Sequence, residues 1–551
     1  MPEAMKVPEA MKGPNRVAHE SKVPEAMKGP NRVAHESRGS NFRGIIPVCI
    51  VVELVILAPV IITVVKAFGG GIHQISSTLS SGNIVTLIEH TLSVSLIATP
   101  ICAIVGVGSA WLVVRTDLPG RKVWMICCVA PLTIPPFLTS FAWVGLSSSM
   151  QGILGAVAVT VFTYFPLVFL VVSAALRGLD PALEECSTSM GKSSLRTFFT
   201  VILPQLKPAI LGGVLLVVLD SLVEFDAFAA MKFQTFSTDI YSQFETSFSV
   251  TSASILSLIS ILLCIAVLYG EHIFRGKSEY ARLGWGVRAS IYRLKLGKLR
   301  YLAFSIMLLL GITSIGIPVG SVIHWFLTSS KEAILSSSQG VKYLSVSALT
   351  SIGLGVGGAV IAIFMALPIA IYISRYQSKV SVLFERGTYM AFALPDLVGA
   401  IALSYAASHW VAPLYETIPL LLIAYAILFV PLGLVAIRVV LGQIEGRLYD
   451  ASFSLGSGSF KTLWRVILPI ARPGLAAAGV MVFTFVLGDL STTQILLPPG
   501  MYTLGTQFWS NATTVAFDAA APYALALLVI SGVTTYLLMS RFGKVAESAL
   551  R

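Results

Sequence analysis

The stretches "TVILPQLKPAIL" (Thr200–Leu211) and "RVILPIARPGLA" (Arg465–Ala476) decide how this chain folds. Each reads Val-Ile-Leu-Pro, three further residues and a second proline, and the two lie 265 residues apart. The same offset brings Leu183 onto Leu448, Ser187 onto Ser452, Ser189 onto Ser454 and Gly191 onto Gly456. Pro166 meets Pro431 and Pro208 meets Pro473, while Pro131 meets Pro395 with one residue of slip. The chain is therefore two related units in series.

What surrounds the repeated phrase is apolar. Of 551 residues, 55% are hydrophobic and 12% are charged, where a soluble protein carries about 25% charged residues. Mean hydropathy is +0.83. Runs such as Gly44–Val65 and Leu302–Ile323 approach the ~20 residues that carry a helix across a bilayer. The apolar runs predict an all-α polytopic membrane protein of about twelve helices. Six lie near 45–66, 90–114, 123–147, 152–176, 202–225 and 252–274. Six more lie near 301–326, 344–374, 388–410, 415–441, 467–489 and 520–540. Six is even, so both units have one orientation. A pseudo-twofold axis along the membrane normal is expected between them, with the solute path there. The expected divisions are a tail 1–43, a first unit 44–274, a linker 275–300, a second unit 301–541 and a tail 542–551.

The formal charge of +11 does not imply nucleic acid, because the basic residues form loops between apolar runs rather than one basic face. With the N-terminus cytoplasmic, 34 of the 38 Lys and Arg residues fall on the cytoplasmic side. Lys66, Lys232, Lys331 and Lys342 fall on the other, so both termini are expected inside. Five of the six cysteines lie in apolar runs, and no spacing suggests a metal site or a disulfide framework. The polar phrase "VPEAMKGPNRVAHES" occupies Val7–Ser21 and recurs at Val23–Ser37, which reads as a disordered tail. The apolar run after it lacks a small-residue cleavage site, so it is expected to remain as the first span.

Each Val-Ile-Leu-Pro phrase closes a longer cytoplasmic loop, 177–207 or 442–472. The first contains "EECSTSMGKSSLRTFFTVILP" (Glu184–Pro204) and the second "YDASFSLGSGSFKTLWRVILP" (Tyr449–Pro469). In both, nine residues separate the glycine from Val-Ile-Leu-Pro. Residues near 180–190 and 445–455 suit short amphipathic helices along the membrane face. Gly191 and Gly456 allow the turn that ends each one, and Pro204 and Pro469 are expected to break or kink the helix that follows. No G-x4-G-K-[S/T] phosphate loop exists: Gly191-Lys192-Ser193 would need a glycine where Cys186 stands. The chain is not expected to be an enzyme, and no catalytic residue or bound cofactor is assigned.

These loops resemble the E-A-A-x3-G-x9-I-x-L-P signature of permease subunits of binding-protein-dependent ABC importers of type I. The resemblance covers roughly residues 45–541. It implies that Glu184, Glu185, Gly191, Leu203 and Pro204 form one ATPase-coupling element. Asp450, Ala451, Gly456, Leu468 and Pro469 form the other. Glu185 and Asp450 occupy the acidic position. Cys186-Ser187 and Ala451-Ser452 replace the paired alanines but stay small. The implied partners are two copies of an ABC ATPase, which would use ATP and Mg, and a periplasmic or lipid-anchored solute-binding protein. The implied location is the bacterial inner membrane.

Acidic residues inside spans are functional candidates. Under the 265-residue shift Glu224 coincides with Asp489, near the outer end of the fifth helix of each unit, with Asp226 beside the first. These three are candidates for a cation path or gate; the other reading is a solvated helix end. Asp220, Asp396 and Glu53 are further intramembrane acids, and Glu53 has no evident partner. The stretches Glu224–Phe244 and Leu487–Trp509 look like the ferric-iron branch of the family, with thiamine or an organophosphonate as alternatives. An ion-driven secondary carrier is the alternative of another class, and it would need a titratable relay inside the bundle.

Overall fold

The computed structural model describes residues 42–80, 83–179, 186–187, 189–275, 294–328, 338–376, 378–392, 394–442, 444 and 446–548. The repeated tail to residue 41, Glu184, Glu185 and linker residues 276–293 lie outside them. Apart from one isolated parallel bridge, Thr116 to Leu294, the described secondary structure is helical.

Among the described residues ten helices are singly long and apolar enough to cross a bilayer, and a bent pair makes an eleventh. The first unit contributes α1 (Ile46–Gly69), α2 (Ile84–Arg115), α3 (Pro136–Leu146), α4 (Ile153–Gly178), α5 (Leu203–Val223) and α6 (Val250–Arg275). The second contributes α7 (Leu299–Thr328), α8 (Ser338–Arg375), α9 (Asp396–Trp410), α10 (Ile418–Gly442), α11 (Leu468–Gly488) and α12 (Phe517–Ser548).

Two expected spans are not straight. The run 123–147 bends by 95° between Arg121–Thr133 and α3. The run 388–410 splits into Lys379–Phe392 and α9. Proline is the cause in both. Pro135 and Pro395 sit as N-caps in near-identical extended conformations, φ −54° and ψ 139° against φ −55° and ψ 135°. Lacking an N–H, and disfavouring helix in the residue before it, proline starts a new helix instead of continuing the old one. By role, then, Pro395 corresponds to Pro135 and not to Pro131. The two units differ in spacing between this break and the next helix.

In each unit the second, fourth and fifth helices pack together, α2 with α4 and α5, and α8 with α10 and α11. Ala98, Cys102, Phe165, Val168, Phe169, Leu206 and Val217 fill the first core. Ala362, Ile369, Tyr425, Val430, Ile437, Ala471 and Val482 fill the second. With little hydrophobic force between helices in lipid, close backbone approach matters. Gly213 of α5 permits it: a Cβ there would stand 2.8 Å from the Val168 Cα of α4.

The leading helices cross over. α1 packs on α9 and on Lys379–Phe392, both in the second unit, and residues Ile317–Thr328 of α7 pack on α3 in the first. Here Glu53 finds the partner that its sequence context did not reveal. Thr388 Oγ1 donates to Glu53 Oε2 at 3.2 Å, and both residues are buried. A Cβ on Gly387 would lie 1.8 Å from Glu53 Oε1, so the carboxylate occupies the space a side chain would take.

Candidate functional site: one helix per unit with a motif at each end

The repeated phrase begins α5 and α11, and the acidic candidates lie at the other ends of the same helices. At about 1.5 Å per residue, each helix separates the two ends by roughly 30 Å.

At the start, Gly191 and Gly456 share φ +78°. This left-handed conformation is where glycine escapes the Cβ clash. Around it the chain closes as a helix C-terminus should. Lys192 N–H donates to Ser187 O at 3.2 Å, and Ser457 N–H donates to Ser452 O at 3.1 Å. These are the six-to-one bonds of a glycine-terminated helix. In the second unit the preceding helix is Gly446–Ser454, which carries Asp450 and Ala451. In the first, Cys186, Ser187 and Ser189 are helical.

The prolines act more gently than expected. Neither Pro204 nor Pro469 breaks its helix. Each follows a π turn, Phe198–Ile202 or Leu463–Ile467, which carries the chain into α5 or α11. Leu203 N–H bonds Phe198 O and Leu468 N–H bonds Leu463 O, five residues back. Proline has no N–H for the carbonyl four residues before it. Widening one turn absorbs that mismatch, and Phe198–Val223 and Ser459–Gly488 each run on as one helical span. Leu203 and Leu468 stand at the start of the regular helix.

Two features here escaped the sequence reading. Met190 and Leu455 occupy equivalent positions beside the glycines and are 77% and 86% exposed. Phe199 and Trp464, also equivalent, are likewise exposed. Matched apolar residues are thus left uncovered at the same place in both units. Nearby, the Arg375 guanidinium lies 4.8 Å from the centre of the Tyr449 ring, tying the end of α8 to the second short helix. Burial pushes the Tyr449 hydroxyl pKa up, against the lowering effect of the Arg375 charge.

At the other end, Glu224 and Asp226 are buried. Tyr164 of α4 donates its hydroxyl to Glu224 Oε2, and Ala227 N–H donates to Oε1 at 2.9 Å. Ser491 Oγ donates to Asp226 Oδ1 at 2.8 Å. Those last two residues are 265 apart, so they are the same position in the two units. A residue that meets its own counterpart lies on the twofold relating the copies. The seam between the units therefore passes through Asp226 and Ser491.

Asp489 accepts Thr492 N–H at 3.2 Å, and Tyr425 of α10 shares a hydrogen bond with Thr493. The charges of Glu224, Asp489 and Asp396 all act on Asp226, and those of Asp489, Asp220 and Glu224 act on Asp396. Each of the five carboxylates thus lies within electrostatic reach of at least one other. Glu224, Asp226 and Asp489 were foreseen as a group. Asp220 stands one turn before Glu224 in α5, while Asp396, from the first turn of α9, joins them only through the fold. The solvated-end reading fails for Glu224 and Asp226, because both are covered by protein. Among the described residues no three His, Cys, Asp or Glu side chains are arranged to hold a metal ion. Asp489 and Tyr425 border a cavity of about 20 Å³, room for roughly one water molecule.

Paired helical units, a crossed-over leading helix and matched glycine turns define a duplicated membrane permease. The model of the binding-protein-dependent transport system inner membrane component matches twice, at residues 102–274 and 358–550, and the chain belongs to that family. It is 32% identical over 491 residues to the Fe(3+)-transport system permease protein FbpB 2 of Haemophilus influenzae, across 89% of this chain and 96% of that protein. It is 24% identical to the ferric transport system permease protein FbpB of Actinobacillus pleuropneumoniae, across 83% of this chain and 71% of that protein. The molybdenum transport system permease protein ModB of Escherichia coli is 28% identical over 215 residues, 35% of this chain and 93% of that protein.

Proposed function

We propose that this chain carries ferric iron, delivered by a periplasmic binding protein, across the bacterial inner membrane into the cytoplasm. Two ATPase subunits drive it from the cytoplasmic side, where both termini lie. The observation that carries the cargo assignment is the acidic seam. Glu224, Asp226, Asp489, Asp396 and Asp220 gather between the units, and the charges acting on Asp226 and Asp396 come from other members of the group. Such a seam attracts a cation and repels an oxyanion, since like charges in a poorly screened interior repel strongly. Likeness to the two ferric permeases supports the same reading. A seam without a ready-made chelating set suits passage: a route must bind weakly enough to release.

In this reading Gly191, Leu203 and Pro204, with Glu184 and Glu185, form the element that one ATPase subunit grips. Gly456, Leu468 and Pro469, with Asp450 and Ala451, form the other. Exposed Met190 and Leu455 supply its apolar contact. ATP closes the ATPase pair, the two elements approach, and α5 and α11 swing their outer ends apart at the Asp226–Ser491 seam. Hydrolysis reverses the movement. Binding-protein docking and ATP binding then favour each other reciprocally.

The test is purification from membranes followed by reconstitution. An ATPase is expected to travel with the chain at two copies per permease, and uptake is expected to stop in vanadate and persist when ion gradients are collapsed. Uptake driven by a proton or sodium gradient without ATP overturns the reading in favour of a secondary carrier.

A further inference from the structure

Ser187 Oγ and Thr197 Oγ1 lie 2.9 Å apart, and Ser452 Oγ and Thr462 Oγ1 lie 2.8 Å apart. All four residues are buried. Each pair spans ten residues, and one pair is the other moved by 265 positions. The serine sits on the short helix before the left-handed glycine. The threonine ends the short helix after it, Ser194–Thr197 or Ser459–Thr462. The next residue opens the π turn that runs into α5 or α11.

We propose that these two Ser–Thr hydrogen bonds lock each docking helix to the helix behind it, so that force applied by the ATPase reaches α5 and α11 as rigid motion. The proposal rests on the coupling reading above. Its physical basis is the joint that the bond spans. A glycine at positive φ between two short helices is a pivot, and a pivot loses displacement. Directly across that pivot stands a buried hydroxyl pair, and parting it would leave two polar groups unsatisfied in a covered site. The bond therefore holds the angle that the glycine alone leaves soft. The flanks are braced too. Arg115, at the end of α2, donates to Leu176 O at 2.9 Å, just before the first docking segment. Arg375, at the matching end of α8, covers Tyr449 of the second. Ser187, Thr197, Ser452 and Thr462 are thus positioning residues for coupling, acting through the docking helices.

The experiment uses the complete transporter in liposomes, with its ATPase subunits and radiolabelled ferric iron on the binding protein. It reads ferric ions moved per ATP hydrolysed. In T197V/T462V the ratio is expected to fall roughly fivefold for each bond lost. T197S/T462S keeps the hydroxyl and is expected to stay within about twofold of the parent. An unchanged ratio in T197V/T462V overturns the proposal. So does an equal loss in T197S/T462S, which would assign the effect to the methyl group. If T197V/T462V fails to assemble with the ATPase, S187A/S452A removes the opposite hydroxyl and is read by the same ratio. G191V/G456V is run alongside. If that variant keeps the parental ratio, the coupling reading itself fails; if it uncouples while T197V/T462V does not, only the lock fails.

Discussion

The ends of the two units that carry the repeated Val-Ile-Leu-Pro phrase are near copies, and the opposite ends are not. At the first, the left-handed glycine, the buried Ser–Thr bond and the π turn recur at the same spacing with nearly the same geometry. At the second, Glu224 answers to Asp489, but Asp226 answers to Ser491 and Asp220 to Phe485. Asp396 belongs to the second unit alone. The contrast follows from what each end meets. In the proposed reading, two copies of one ATPase would demand two copies of one socket, so divergence there would be penalised in both units. A single ion on the axis, as proposed, would meet all side chains together, and their summed charge would matter more than which unit supplies it.

The inner symmetry breaks most severely at the glycines. Replacing Gly191 and Gly456 together by valine forces a branched side chain into the left-handed region, at about 1–2 kcal/mol per residue, and turns each docking helix away from its partner. Uptake in liposomes is expected to fall more than tenfold, with loss of the ATPase stimulation caused by the loaded binding protein. Full stimulation and full uptake in that variant would remove the docking role from both turns.

A smaller effect sharpens the outer asymmetry. Ser491→Ala removes the hydrogen bond to Asp226 across the seam, a contact worth about 1 kcal/mol. The closed seam loosens, so ATP hydrolysis without binding protein is expected to rise by roughly two- to fivefold. An unaltered rate would mean that the seam is held shut by packing alone.

The duplication and the helical spans were legible because both are written in local sequence: one phrase repeated at a fixed offset, and apolar runs of bilayer length. The glycine turns were legible because few other residues tolerate that backbone. Three things were hidden, each for a physical reason. The Ser187–Thr197 bond joins two small polar residues across a turn, and nothing in their spacing distinguishes a hydrogen bond from packing. Asp396 reaches Glu224 through the fold, over a sequence separation that no periodicity spans. Glu53 meets Thr388 because α1 crosses onto the other unit, which the order of helices does not disclose. The proline positions misled in a useful way. Pro204 and Pro469 looked like breaks but each follows a π turn into a continuing helix, while the abrupt breaks occur at Pro135 and Pro395, where a proline caps a new helix.

The central claim is that the outer carboxylates form a cation route opened from the inner docking turns. Its most direct test is the initial rate of uptake of ferric iron and of molybdate by the reconstituted transporter, as parent and as E224Q/D226N. The account predicts that the parent carries ferric iron and excludes molybdate. It also predicts that removing two of the converging charges cuts ferric uptake by about tenfold or more. Ferric uptake at the parental rate in E224Q/D226N, or molybdate carried by the parent, would contradict it.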